Sequence, residues 1–259
     1  MSGFQDHFSD RADGYAKYRP GYPDSLFEWL AGLVPSRGCA WDCATGSGQA
    51  VPGLAHRFSL VIATDASPDQ LRHAPRLPNV DYRIARAEEC GLEDGSVDLV
   101  TVAQALHWLD HPRFFAEVGR VTKPGGVLAA WMYNMLETDP PIDQALRRFY
   151  SGTVGPYWPG DRRYVDTEYR TIPIPFPAIA APAFAMEAEW SLAHLIGYLR
   201  TWSAVARCRQ ATGVDPVVDF SGELAALWGS TGRVRLVRWP LSLRVARVRP
   251  PETGFGSRA

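Results

Sequence analysis

Apolar positions in the first half of the chain alternate between helix-like spacing and short continuous runs. Leu26, Leu30 and Leu33 recur at helical intervals between Pro23 and Pro35, which predicts an opening helix. A short apolar strand then leads into Asp42. Val51, Leu54, Ala55 and Phe58 fit one helix face, with Pro52 admissible in a first turn. Leu60 to Thr64 is a buried-strand run that ends on Asp65, and Val80, Tyr82 and Ile84 alternate as a third strand. Val97 to Ala103 follows an Asp94-Gly95 turn as a fourth strand. Phe114, Phe115, Val118 and Val121 mark a helix, and Lys123-Pro124-Gly125-Gly126 turns the chain into a fifth strand, Val127 to Met132. Strands that are continuous apolar runs, alternating with helices, predict an α/β fold. The expected architecture is a doubly wound, Rossmann-like, mostly parallel sheet of about seven strands, with an antiparallel last strand and a helical and loop cap.

Beyond about Pro140 the pattern changes. Prolines cluster between Pro156 and Pro182, which predicts an extended, loop-rich excursion. Leu192, Leu195, Ile196 and Leu199 then lie on one face of a helix running to Trp202. Apolar residues alternate with arginines from Val234 to Val248; Pro240 splits this segment and favours Leu241 to Val248 as the strand. The expected organisation is an N-terminal cap segment and first helix (1–35), a ligand-binding core (36–135), a cap insertion and helix (136–205), a C-terminal helix with closing strands (206–249) and a tail (250–259).

With 259 residues, 46% of them hydrophobic, the chain can bury a sizeable core. Its formal net charge of -1 gives no bulk attraction for nucleic acid. No run approaches the roughly 18 apolar residues of a membrane span. The start of the chain lacks a basic segment followed by an apolar one, so a cytoplasmic setting is expected. Cys39, Cys43, Cys90 and Cys208 form no C-x-x-C pair and read as buried thiols rather than a metal site.

Ligands of a parallel sheet bind at the carboxyl ends of its strands. The turn from Asp42 to Gln49 lies there, and Gly46 and Gly48 allow close backbone approach or positive φ. A glycine turn alone fits several cofactors, and charge separates them. A dinucleotide would set its pyrophosphate against Asp42, and G-x-G-x-x-G would need a small residue where Val51 stands. A cationic ligand without phosphate, such as S-adenosylmethionine, favours that carboxylate. Asp65, 23 residues further on, ends the second strand where an acid can accept both hydroxyls of a ribose. For each acid the competing reading is a helix cap.

These residues carry a family resemblance. Asp42-Cys43-Ala44-Thr45-Gly46-Ser47-Gly48 resembles the acid and G-x-G-x-G of the type 11 class I S-adenosylmethionine-dependent methyltransferases, with Ala44 at the first glycine. Asp65-Ala66-Ser67-Pro68 resembles that family's ribose turn, and Ser96-Val97-Asp98-Leu99-Val100 its fourth strand. Within the family the chain is similar to the trans-aconitate methyltransferase-like branch. The resemblance implies S-adenosyl-L-methionine as cofactor and S-adenosyl-L-homocysteine as product. It assigns Asp42, Ala44, Thr45, Gly46, Gly48, Gln49, Asp65, Ala66, Ser67, Ala87, Glu88, Gln104 and Ala105 to the cofactor. The adenine turn departs from the common pattern, reading Arg86-Ala87-Glu88, so its contact falls to Glu88 or to backbone groups.

On the acceptor side, His107-Trp108 follows the fourth strand, where the resembled branch has such a pair between cofactor and substrate. His107 can serve as a general base or can orient its loop with Trp108 packed over it; both readings stand. Tyr18 and Arg19 fall in a segment, Tyr15 to Pro23, that resembles the family's opening sequence; they offer a hydroxyl and a cation for a carboxylate. The remaining histidines, His7, His56, His73, His111 and His194, read as structural or solvated. A small-molecule methyl acceptor is expected, with a carboxylate as the candidate group. The rival functions are a nucleotide-dependent oxidoreductase and a non-catalytic adenosylmethionine-binding protein.

Overall fold

The computed structural model of the protein describes residues 20–230 and 232–248. The chain divides into two compact units. Among the described residues, one holds 24–131, 172–182 and 243–248, and the other 20–23, 132–171 and 183–242.

The first unit begins with α1 (Asp24–Leu33) and continues through β1 (Cys39–Cys43), α2 (Val51–Ala55), β2 (Leu60–Asp65), α3 (Pro68–Arg72), β3 (Val80–Ile84), β4 (Val97–Ala103) and α4 (His111–Val121). It then contains most of β5 (Thr122–Tyr133), all of β6 (Ala178–Ile179) and the end of β8 (Arg235–Arg247). The pairs β1–β2, β1–β4, β2–β3 and β4–β5 are parallel. Every residue of β1 is buried, as expected of strands covered on both faces. Pro52 sits in the first turn of α2, where its missing N–H costs nothing. Asp110 caps α4 by accepting from the Arg113 N–H, and Phe114, Phe115, Val118 and Val121 form the buried stripe of that helix.

The expected turn at Lys123-Pro124-Gly125-Gly126 appears as an interruption within β5. Val97 faces Thr122, yet Leu99 already faces Val127, so three extra residues loop out of the ladder. Gly125 takes a φ of 78° in this loop.

The second unit contains α5 (Pro140–Arg148), α6 (Arg162–Asp166), β7 (Phe184–Trp190), α7 (Leu192–Arg200), α8 (Ser203–Thr212), α9 (Pro216–Trp228) and the first part of β8. Phe149 stacks on Phe220 with ring centroids 4.2 Å apart, and Trp190 meets Trp239 at 4.6 Å. The proline-rich stretch thus includes a short helix and β6, and β7 follows it directly.

The complete sheet has eight strands in the order β3-β2-β1-β4-β5-β8-β6, with β7 also beside β8. Both β6 and β7 run antiparallel to β8. The sheet is therefore mostly parallel with antiparallel C-terminal strands, one strand larger than the pattern predicts. Nor does Pro240 split β8. The N–H and C=O of Arg238 point to Glu137, so two residues on the nitrogen of Pro240 points the same way, away from β7. No ladder bond to β7 is lost. All four cysteines are buried and free. No helix among the described residues is long and apolar enough to cross a membrane.

Candidate active site

The site is built on the carboxyl ends of β1, β2, β3 and β4. After β1 the backbone turns through three left-handed residues, Ala44 (φ 52°), Gly46 (φ 57°) and Gly48 (φ 76°), and the Thr45 N–H donates to the Thr64 carbonyl on β2 (2.9 Å). Gly48 is required by space as well as by φ, since a Cβ there would lie 2.9 Å from Pro75 Cδ. Ala44 adopts the same region with a side chain, a conformation that costs roughly 1–2 kcal/mol in an L-residue.

Asp42 is 1% exposed. Its Oδ2 accepts from Thr45 Oγ1 (2.5 Å) and its Oδ1 from Thr101 Oγ1 (2.7 Å), the residue facing it across the β1–β4 register. Burial pushes its pKa up to about 6; the two hydroxyls pull it down, and the charge of Asp65 raises it further. Among the described residues no lysine or arginine pairs with it. At neutral pH this is a buried anion held only by neutral donors, which fits a positively charged ligand. The capping alternative does not hold, because neither oxygen of Asp42 accepts from a helix N–H.

Asp65 joins two turns: its Oδ2 accepts from the Gly46 N–H and its Oδ1 from the Ser67 N–H, each at 2.8 Å. The cap of α3 is supplied instead by buried Ser67, whose side chain accepts from Gln70. Ala66 lies between them, half-buried, and Gln49 is half-buried ahead of α2. Two hydrogen-bonded groups, Asp42 with Thr45 and Thr101 and Asp65 with Gly46 and Ser67, therefore meet at the Thr45–Gly46 peptide.

After β3, Ala87 is buried, while Glu88 reaches the loop that follows β4. Its Oε1 accepts from the Asp110 N–H (3.0 Å), and its Oε2 lies 3.4 Å from Arg86 Nε. The adenine contact assigned to Glu88 from sequence must share this carboxylate with a structural bond. In the same loop Gln104 takes a φ of 57° and donates its N–H to the Trp131 carbonyl. Ala105 is buried, and the rings of His107 and Trp108 lie 4.5 Å apart. His111 Nε2 meets the Leu106 carbonyl at 3.0 Å, a structural role, as with His73 on the Asp69 carbonyl and His194 on Ser191. Tyr18 and Arg19 lie outside the described residues. Sequence reasoning missed Thr101 and the Glu88–Asp110 and His111–Leu106 ties; a lone hydroxyl in the apolar run of β4 was the available signal for the first.

Comparison with known proteins places the chain in a family. The methyltransferase domain family matches residues 41–130. A Dictyostelium discoideum protein named as a methyltransferase is 33% identical over 232 residues, covering 88% of each chain. A Mycobacterium tuberculosis protein, also named as a methyltransferase, is 40% identical over 124 residues, 47% of this chain and 49% of that one. A solved structure from Anaeromyxobacter dehalogenans, given as a type II methyltransferase, is 45% identical with a TM-score of 0.86, covering 90% of this chain and 99% of that one. The chain belongs to the class I methyltransferases that carry this domain. It is an S-adenosylmethionine-dependent methyltransferase.

Proposed function

We propose that this methyltransferase acts on a small molecule and methylates a carboxylate oxygen. The observation that carries the cofactor half of this reading is Asp42, a buried carboxylate whose partners are two neutral hydroxyls. Asp42, with the backbone of Ala44, Thr45, Gly46, Gly48 and Gln49, would hold the amino acid end of the cofactor. Asp65, with Ala66 and Ser67, would hold the ribose, and Ala87, Gln104 and Ala105 would line the adenine side, while the Glu88 carboxylate assigned there from sequence would serve chiefly to tie the loop after β4 through the Asp110 N–H. When bound, adenosylmethionine supplies an electrophilic methyl group on its sulfonium.

The protein's task is then to align the acceptor and exclude water. His107 and Trp108 lie on the loop after β4 and would face the acceptor; Tyr18 and Arg19 are assigned to it by the family resemblance alone. A carboxylate is already a nucleophile and needs no base, so His107 would orient the acceptor by hydrogen bonding rather than take its proton. The resemblance to the trans-aconitate branch supports a carboxylate acceptor.

Calorimetry with adenosylmethionine and adenosylhomocysteine, beside Asp65→Ala, tests the cofactor roles; the variant should lose affinity for both. A screen of small carboxylic acids, with mass spectrometry for methyl esters, tests the acceptor. A clear preference for amines or phenols would retire the carboxylate reading.

A further inference from the structure

Arg162, in the second unit, has a guanidinium that is fixed by its neighbours yet keeps hydrogen-bonding capacity. Its Nε donates to Tyr150 Oη (2.7 Å) and its Nη2 to Asn134 Oδ1 (2.5 Å). Its Cζ lies 4.4 Å from the centre of the Trp158 ring and 5.3 Å from that of Tyr150. Those rings are themselves held. Their centroids are 4.9 Å apart, Trp158 Nε1 donates to the Tyr150 carbonyl, and Trp202 packs against both rings at 5.7 and 5.8 Å. Burial pushes the Tyr150 phenol up to about 12, so it stays protonated and donates to Asp166 (2.7 Å) while accepting from Arg162. Asp166 lies 3.7 Å from Arg162 Nε.

These partners use the edge of the guanidinium formed by Nε and Nη2. Among the described residues Nη1 makes no hydrogen bond, and the side chain is 23% exposed. The other edge, Nη1 with the second hydrogen of Nη2, is the one that grips a carboxylate end-on with two parallel bonds. A surface arginine must surrender rotamer freedom to do this, whereas here the ring stacking and two hydrogen bonds have already removed it.

We propose that Arg162, framed by Tyr150, Trp158 and Asn134, is a carboxylate-binding site of the second unit.

The test is NMR of the protein labelled with 15N-arginine, titrated with benzoate and with glutarate. The Arg162 side-chain signal, assigned by its loss in Arg162→Lys, should shift saturably with either acid and stay still with benzamide or chloride. Trp158→Leu, which keeps the arginine but removes the stacked ring, should weaken the binding by about tenfold. A cooperative melt should show that both variants still fold, and their adenosylmethionine affinity should stay at the wild-type value. No saturable shift with either acid, an equal shift with chloride, or undiminished carboxylate binding in Arg162→Lys would overturn the site. A wild type that ignores adenosylmethionine but still binds benzoate through Arg162 would count against the cofactor roles alone.

Discussion

Ionising Asp42 inside the sheet costs free energy that two hydroxyl donors only partly offset, and its carboxyl titrates near 6 in the folded chain against about 3.9 in an unfolded one. The folded state thus holds this proton more tightly. The stability that neutral Asp42 contributes is present below about pH 4 and is lost as the pH climbs to about 6. A cationic cofactor favours the anion, so its affinity should rise over the same interval. Calorimetry should find adenosylhomocysteine binding about tenfold weaker at pH 5 than at pH 7, with Asp42→Asn weak and flat across that range; a flat wild-type profile would contradict this. The left-handed turn gives a second residue-scale expectation. Ala44→Gly should be neutral or up to about 1 kcal/mol more stable, whereas Gly48→Ala, with a Cβ 2.9 Å from Pro75, should lose about 2 kcal/mol or more in denaturant titrations. Asp42 and Asp65 were legible in the sequence because each closes an apolar strand run. Thr101 was not, because its meeting with Asp42 depends on the parallel register of β1 and β4, which one sequence does not specify.

The loop between β4 and α4 is an element pinned at several points: Gln104 on the Trp131 carbonyl, His111 on Leu106, and Asp110 on Glu88. Removing the last tie should let the His107–Trp108 segment move without disturbing the turns around Asp42 and Asp65. Glu88→Ala should therefore lower kcat about tenfold with little change in cofactor affinity, and Glu88→Gln, which keeps an acceptor oxygen, should recover most of it. An equal loss in cofactor affinity would favour a direct adenine role for Glu88 instead. The elements of the first unit were readable because their periods are clean and their caps, such as Asp110, stand where helices begin. Of those in the second unit, α7 and part of β8 were readable, and the rest were not. Prolines that look like helix breakers sit harmlessly in the first turn of α5 and α9, and Pro240 turns its nitrogen away from the strand it pairs with.

At the scale of the whole molecule, the chain passes between its two units five times, and each unit is assembled from separated stretches of sequence. Neither can complete itself from one continuous segment, so the protein should unfold in a single transition. Tryptophan fluorescence and far-ultraviolet circular dichroism should give coincident denaturation curves; two separated midpoints would show that the units fold independently. This interleaving was hidden in the sequence, where the change of pattern near Pro140 suggests a core followed by an appendage. The position of β8 carries a consequence for synthesis. It is among the last elements to be translated, yet it lies inside the sheet, between β5 and β6. On the ribosome β5 must therefore wait with an unsatisfied edge while the hundred or so following residues emerge, on the order of 10 s at ordinary elongation rates. For that interval the nascent protein exposes an unpaired strand edge, and slowing translation after β5 should lower its soluble yield.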